Sequence, residues 1–307
     1  MSNKTVATAL LTILILCIGG AIDAATRGVA DPIRGGKMWD KWWVMNGVTP
    51  PQTNHPLYPT TSQQSGPNTY RCKECHGWDY KGVDGAYNSG SHYTGIRGVF
   101  GSTMSPADMF DLLKLDTIAN GHGYANYGMS DQDILDIVEF VQNYLIDTDL
   151  YIDTDGIFSG DEAQGQYNFT QGAGGTLQCT MCHGPDGDWI NFGTPELPEW
   201  VGTVADHNPW ELMHKIRFGQ PATSMPSWIE NGGTTQGVAD IGVYAQINFP
   251  SVLCQEDING DNLIGVSDLL SVIDQWGLTN SPADVNQDGI VNVSDLLSVV
   301  GNWGPCE

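Results

Sequence analysis

The pattern of apolar and polar positions predicts helices joined by long loops. Ile134, Leu135, Ile137, Val138, Val141 and Leu145 form an apolar stripe at helical spacing. Ser130, with Asp133 three residues on, gives that stripe a capping-box start. A second helix is predicted from Ser105-Pro106 to about Leu115, because serine caps and proline suits a first turn. Helical patterns recur at 210–218 and 238–247. Between these stretches the chain is rich in glycine (Gly77, Gly82, Gly85, Gly90, Gly95, Gly98) and proline (Pro50, Pro51, Pro56, Pro59), which marks loops. The dense aromatics of Met38-Trp39-Asp40-Lys41-Trp42-Trp43 are expected to be core. The one long apolar run is 6–20. With Lys4 before it and small residues after it, it reads as a signal peptide cleaved after Ala24, or else as an uncleaved anchor. Leu16 before Cys17 disfavours a lipoprotein signal.

Length and charge narrow the classes. A chain of 307 residues suits two or three small domains. Twelve basic residues against 36 acidic ones leave a formal charge of −24. No basic patch exists to neutralise phosphate, so nucleic acid and anionic membrane surfaces are poor partners. The surplus suits solubility or, alternatively, steering toward a basic partner.

Chemistry enters with two short phrases, Cys72-Lys73-Glu74-Cys75-His76 and Cys179-Thr180-Met181-Cys182-His183. C-x-x-C-H is the attachment signature of c-type haem: two thiols add to the porphyrin vinyls and the histidine reaches the iron. A four-cysteine zinc site would want the pairs about 15–20 residues apart, and these lie much further apart. A thioredoxin-like pair would want a βαβ setting, which is not evident.

The order of C-x-x-C-H, middle helix, loop, then Ser130-Asp131-Gln132-Asp133-Ile134 opening a last helix resembles a class I cytochrome c domain. The resemblance implies a second iron ligand on the loop before that helix. His122 takes the place, with Met129 or an open position as alternatives; Met104 and His92 are less well placed, and His55 reads as a loop residue. The order then repeats. Asp161 to Tyr167 resembles the opening helix of small cytochromes, and Met225-Pro226 stands where the family carries its methionine ligand. His207 reads as a cap or solvent residue and His214 as structural or exposed.

The last segment holds two near-copies. Asp257, Asn259, Asp261, Leu263 and Asp268 fall at positions 1, 3, 5, 7 and 12 of one loop. Asp284, Asn286, Asp288, Ile290, Asn292 and Asp295 fall at positions 1, 3, 5, 7, 9 and 12 of the other. Side-chain oxygens at those spacings, with a backbone carbonyl at position 7, suit Ca²⁺. Gly289 provides the turn at position 6, and Asn262 tolerates it. Aspartate at position 12 and one helix per loop resemble the dockerin type I repeat. That resemblance implies two Ca²⁺ and a cohesin-like or surface partner. Cys254 and Cys306 bracket the module, and export permits a disulfide between them.

The expected architecture is therefore mainly α: a signal peptide at 1–24, cytochrome c-like domains at 25–150 and 151–250, and a dockerin or EF-hand-like loop–helix pair at 251–307. The expected function is one-electron transfer in the periplasm or at the cell exterior, through two covalent haems, between a donor and an acceptor protein. The alternatives are a haem enzyme of the dihaem-peroxidase or thiosulfate-oxidising kind, or the haem subunit of a dehydrogenase.

Overall fold

A computed structural model describes residues 28–305 apart from 63, 91, 116–120, 195–197, 251–254, 260–262, 280 and 287. The signal segment, Asp261 and the Cys254–Cys306 pair lie outside the described residues. Among the described residues the protein is mainly helical, with eleven α-helices and a single two-stranded sheet. None of these helices is long and apolar enough to cross a membrane. The chain forms two compact units. The first comprises 1–147 together with 218–230; the second comprises 148–217 and 231–307.

In the first unit, α1 (Pro32–Asn46) crosses the last helix, α4 (Asp131–Asn143). Between them in sequence come α2 (Cys72–His76) and α3 (Pro106–Lys114). Ser105 caps α3, and Ser130 and Asp133 form a full capping box on α4, as the spacing predicts. The crossing is very close. A Cβ on Gly35 would lie 2.1 Å from the Asp136 carbonyl oxygen. Asp136, itself buried, accepts the Asp31 N–H at 2.9 Å and Arg34 at 2.6 Å; Arg34 also bonds Asp133. Met38, Trp39 and Trp42 of α1 fill the core with Ile134, Ile137 and Phe140 of α4. Phe218 completes this core, its ring centroid 5.1 Å from that of Phe140.

The second unit repeats the crossing with its own residues. Its helices are α5 (Glu162–Gln171), α6 (Thr180–His183), α7 (Val201–His207), α8 (Pro209–Phe218, whose last residue groups with the first unit) and α9 (Thr235–Asn248). Helix α5 crosses α9 at Gly165, where a Cβ would lie 1.9 Å from the Asp240 carbonyl oxygen. Asp240 accepts the Asp161 N–H at 2.9 Å, as Asp136 accepts Asp31. Gln236 bonds Asp240 and the Ser159 carbonyl; Gln132 bonds Asp136 and the Val29 carbonyl. One difference lies at the N-terminus of the first helix: Gln164 stands where the first unit has Arg34.

Within the same unit, residues 255–305 form a small two-fold repeat. Helices α10 (Val266–Asp274) and α11 (Val293–Gly301) each follow a loop. Strands β1 (Leu263–Ile264) and β2 (Gly304–Pro305) close it, with Leu263 opposite Pro305. Its core is Ile264, Val272, Ala283, Val285, Val291 and Val299.

Any side chain at Gly35 or Gly165 must push two helices apart. Gly35→Ala and Gly165→Ala are each expected to cost about 1–3 kcal/mol, read as a lower urea midpoint. Gly301→Ala, with open space around its Cβ position, is the control and should cost nothing.

Candidate functional site

The first C-x-x-C-H is one helical turn, α2, held from both sides by α1. Trp39 Nε1–H donates to the Gly77 carbonyl at 3.2 Å, just after the motif; Trp42 Nε1–H donates to the Tyr70 carbonyl at 3.1 Å, just before it. Arg71, at the N-cap of α2, pairs with buried Asp40. Burial pushes the thiols of Cys72 and Cys75 up to about 12. His76 donates Nδ1–H to the Arg97 carbonyl at 2.7 Å. That bond fixes the tautomer and leaves the Nε2 lone pair available to a metal. Burial also lowers the His76 pKa, which favours the neutral ring that a metal requires.

The loop before α4 brings His122 to this histidine. The two ring centroids are 6.2 Å apart. Two metal–nitrogen bonds of about 2 Å each, plus the two ring radii, account for a separation of that size. The His122 pKa is lowered to about 4 by burial and by the neighbouring His76 and His55. Its Nδ1 is buried without a hydrogen-bond partner. The backbone of His122 is fixed twice: its N–H donates to the Leu112 carbonyl at 2.9 Å, and its carbonyl accepts His55 Nε2–H at 3.2 Å. Met129 is buried and Met104 is exposed.

The second motif sits in a different setting. No residue of α6 is buried, and Cys182 is exposed. Burial raises the Cys179 thiol to about 11 and lowers the His183 imidazole. His183 Nδ1 is buried with no hydrogen-bond partner, unlike His76 Nδ1. Its carbonyl accepts the Trp189 N–H at 3.1 Å, and its ring lies 5.8 Å from Phe192. Met225, half-buried, belongs to the 218–230 segment that groups with the first unit, whereas His183 belongs to the second.

In the acidic repeat, Asp284 accepts the N–H groups of Asp288 at 3.1 Å and Gly289 at 2.9 Å. Gly289 has φ +98°, the conformation expected at position 6. Asp288 accepts the side chains of Asn292 and Asn286, which hold its carboxyl below the usual range. Asn292 also donates to the Ile290 carbonyl at 3.0 Å. Asp295 is buried and accepts the N–H groups of Asn286 at 3.2 Å and Asn292 at 2.8 Å; Asp268 does the same with Asn259 at 3.2 Å and Gly265 at 2.9 Å. In the second loop Asp284 and Asp295 are thus gathered by backbone N–H groups, and in the first loop Asp268 is. Among the described residues, no three His, Cys, Asp or Glu are grouped closely enough to hold a metal as they stand. Asp257 is half-buried, and Leu263 contributes β1 backbone.

Several residues carry more than their sequence context suggests. His55 is buried, with its Nδ1 accepting the Leu57 N–H at 3.1 Å, and it supports His122. The two intervening residues of the first motif are buried: Lys73 pairs with Glu74 at 2.9 Å, and Glu74 accepts His92 Nδ1–H at 2.8 Å. His214 is buried within α8, and His207 is exposed at the end of α7. Proline neighbours hide the role of His55; only its aromatic surroundings, Tyr70, Tyr124 and Tyr127, hint at it.

The lowered His122 pKa sets a pH window for the cofactor-free chain. Both states are neutral at this residue above 6.5, so its contribution is complete there. It is lost as pH falls toward about 4, because the unfolded chain takes the proton first. Urea midpoints measured across that window should show a loss of about 3 kcal/mol from this residue, and His122→Gln should flatten that part of the profile. Comparison of the chain with family models, curated proteins and solved structures finds no match.

Proposed function

We propose that the protein is an exported dihaem c-type cytochrome that transfers single electrons, with a calcium-binding, dockerin-like tail for attachment or stabilisation. In this reading the cytochrome c-like domains are 25–150 and 151–250 and the tail is 251–307. The observation that carries it is the pairing of a C-x-x-C-H turn with a second imidazole, His122, at a separation suited to one intervening metal. The repeated Gly35 and Gly165 crossings support a duplicated domain. A haem would supply the reversible one-electron couple. Cys72, Cys75, His76 and His122 would hold the first; Cys179, Cys182, His183 and Met225 the second.

The ligands set an order. Histidine–methionine ligation raises a potential. A hydrogen bond on the proximal histidine makes it a stronger donor, and His76 has one where His183 does not. Both differences place the first haem below the second, so electrons run from first to second. The tail resembles a tether, and its repeated apolar residues Val266, Leu270, Val293 and Leu297 are exposed, as a cohesin-like or surface partner would require.

Ligand replacement tests this reading. His122→Ala should leave haem content unchanged and convert the first haem from low-spin to high-spin, with new rapid cyanide binding. Met225→Ala should abolish the near-infrared band of methionine-ligated ferric haem. Rapid cyanide binding by the unmodified resting protein would instead indicate an iron open to substrate, and so a haem enzyme. A redox titration with the second haem lower would reject the order.

For the tail, calcium at about 100 times its Kd should stabilise by about 2.7 kcal/mol, seen as a rise in melting temperature. Asp284→Ala with Asp288→Ala should reduce that rise. No gain from calcium in the unmodified chain would remove calcium from the account.

A further inference from the structure

The two motifs differ most in exposure. In the first, Cys72, Lys73 and Glu74 are buried. In the second, Met181 is 74% exposed, and the stretch that follows the motif exposes Trp189 at 66%, Phe192 at 45% and Ile190 at 40%. These four are not strays from a core. Trp189 follows directly from the motif, because its N–H is tied to the His183 carbonyl and its ring closes on Gly184, where a Cβ would lie 2.4 Å from it. Phe192 is tied through its N–H to the Glu199 carbonyl at 2.7 Å. Tryptophan, methionine and phenylalanine are the residues enriched at interface centres, and a clustered apolar surface of this kind marks an interaction site.

The surroundings are acidic. Asp186, Asp188 and Glu199, in the same stretch of chain, are exposed. Over 151–250, twelve acidic residues face only two basic ones, Lys215 and Arg217, the first half-buried and the second buried. An anionic lipid surface would be repelled from this face. A cationic protein surface would be drawn to it and oriented by it.

We infer that the face formed by Met181, Trp189, Ile190 and Phe192, rimmed by Asp186, Asp188 and Glu199, is the docking surface through which the second haem exchanges electrons with a basic one-electron protein. The inference rests on the proposed haem ligation. Docking makes and breaks no covalent bond. One electron leaves the chain's cofactor and one is gained by the partner's redox centre. The exposed second motif then serves as the port.

The test uses full-length, fully reduced, haem-loaded protein in calcium, mixed in a stopped-flow instrument with two small oxidants. These are cationic tris(phenanthroline)cobalt(III) and anionic hexacyanoferrate(III). At low ionic strength the cation should react faster as salt is lowered, and poly-L-lysine, which accepts no electrons, should slow it. The variant Asp186→Lys/Asp188→Lys/Glu199→Lys should react at least fivefold more slowly with the cation and faster with the anion. The differences should vanish near 1 M salt, where screening acts over about 3 Å. Met181→Lys, a single exposed substitution, should show the same direction and serves if the triple variant loads haem poorly. Rates within twofold of the unmodified protein in the variants, or no effect of poly-L-lysine, would overturn the proposed face. Protein without two haems would instead overturn the underlying reading before any mixing.

Discussion

Helices α1 and α4 come so close at Gly35 that no side-chain carbon fits between them, and the first unit is arranged around that approach. Closeness brings Asp136 within reach of the α1 N-terminus, where its carboxylate satisfies a backbone N–H and pairs with Arg34. It also sets Trp39 and Trp42 on the inner face of α1. The second unit solves the same problem with Gly165, Asp240 and Asp161, but without a cation. Two such crossings in one chain, with matching glutamines and matching caps, are more specific than helix content alone.

From that crossing the geometry reaches the C-x-x-C-H turn. The two indoles of α1 clamp the backbone on either side of it, so the motif cannot shift without disturbing the helix crossing. The Arg97 carbonyl then selects the tautomer of His76, and the Leu112 and His55 bonds hold the loop carrying His122. Each imidazole is kept neutral by burial. A pair of neutral imidazoles held at this separation before any metal arrives would have its ordering cost met by folding.

Local chemistry was legible in the sequence. Ser105-Pro106 and Ser130 with Asp133 cap helices where their spacing says, and the 134–141 stripe faces the core. Both five-residue motifs form helical turns. Long-range consequences were not legible. Nothing in Gly35 alone marks it as the crossing point rather than one more glycine. His55 lies in a proline-rich loop 67 residues from His122, and its bond depends on how that loop folds back. Lys73 and Glu74 have the composition of a solvated surface, yet they are buried because His92, from a distant loop, completes their pairing. Phe218 packs on Phe140, a contact no local pattern encodes, and 218–230, with Met225, groups with the first unit.

The account turns on covalent haem at both motifs, and mass spectrometry of the mature protein tests that directly. Expressed in a host able to mature c-type haem, the chain should carry the added mass of two haems, and digestion should place one on the peptide with Cys72 and Cys75 and one on that with Cys179 and Cys182. A colourless protein at its bare polypeptide mass would contradict it.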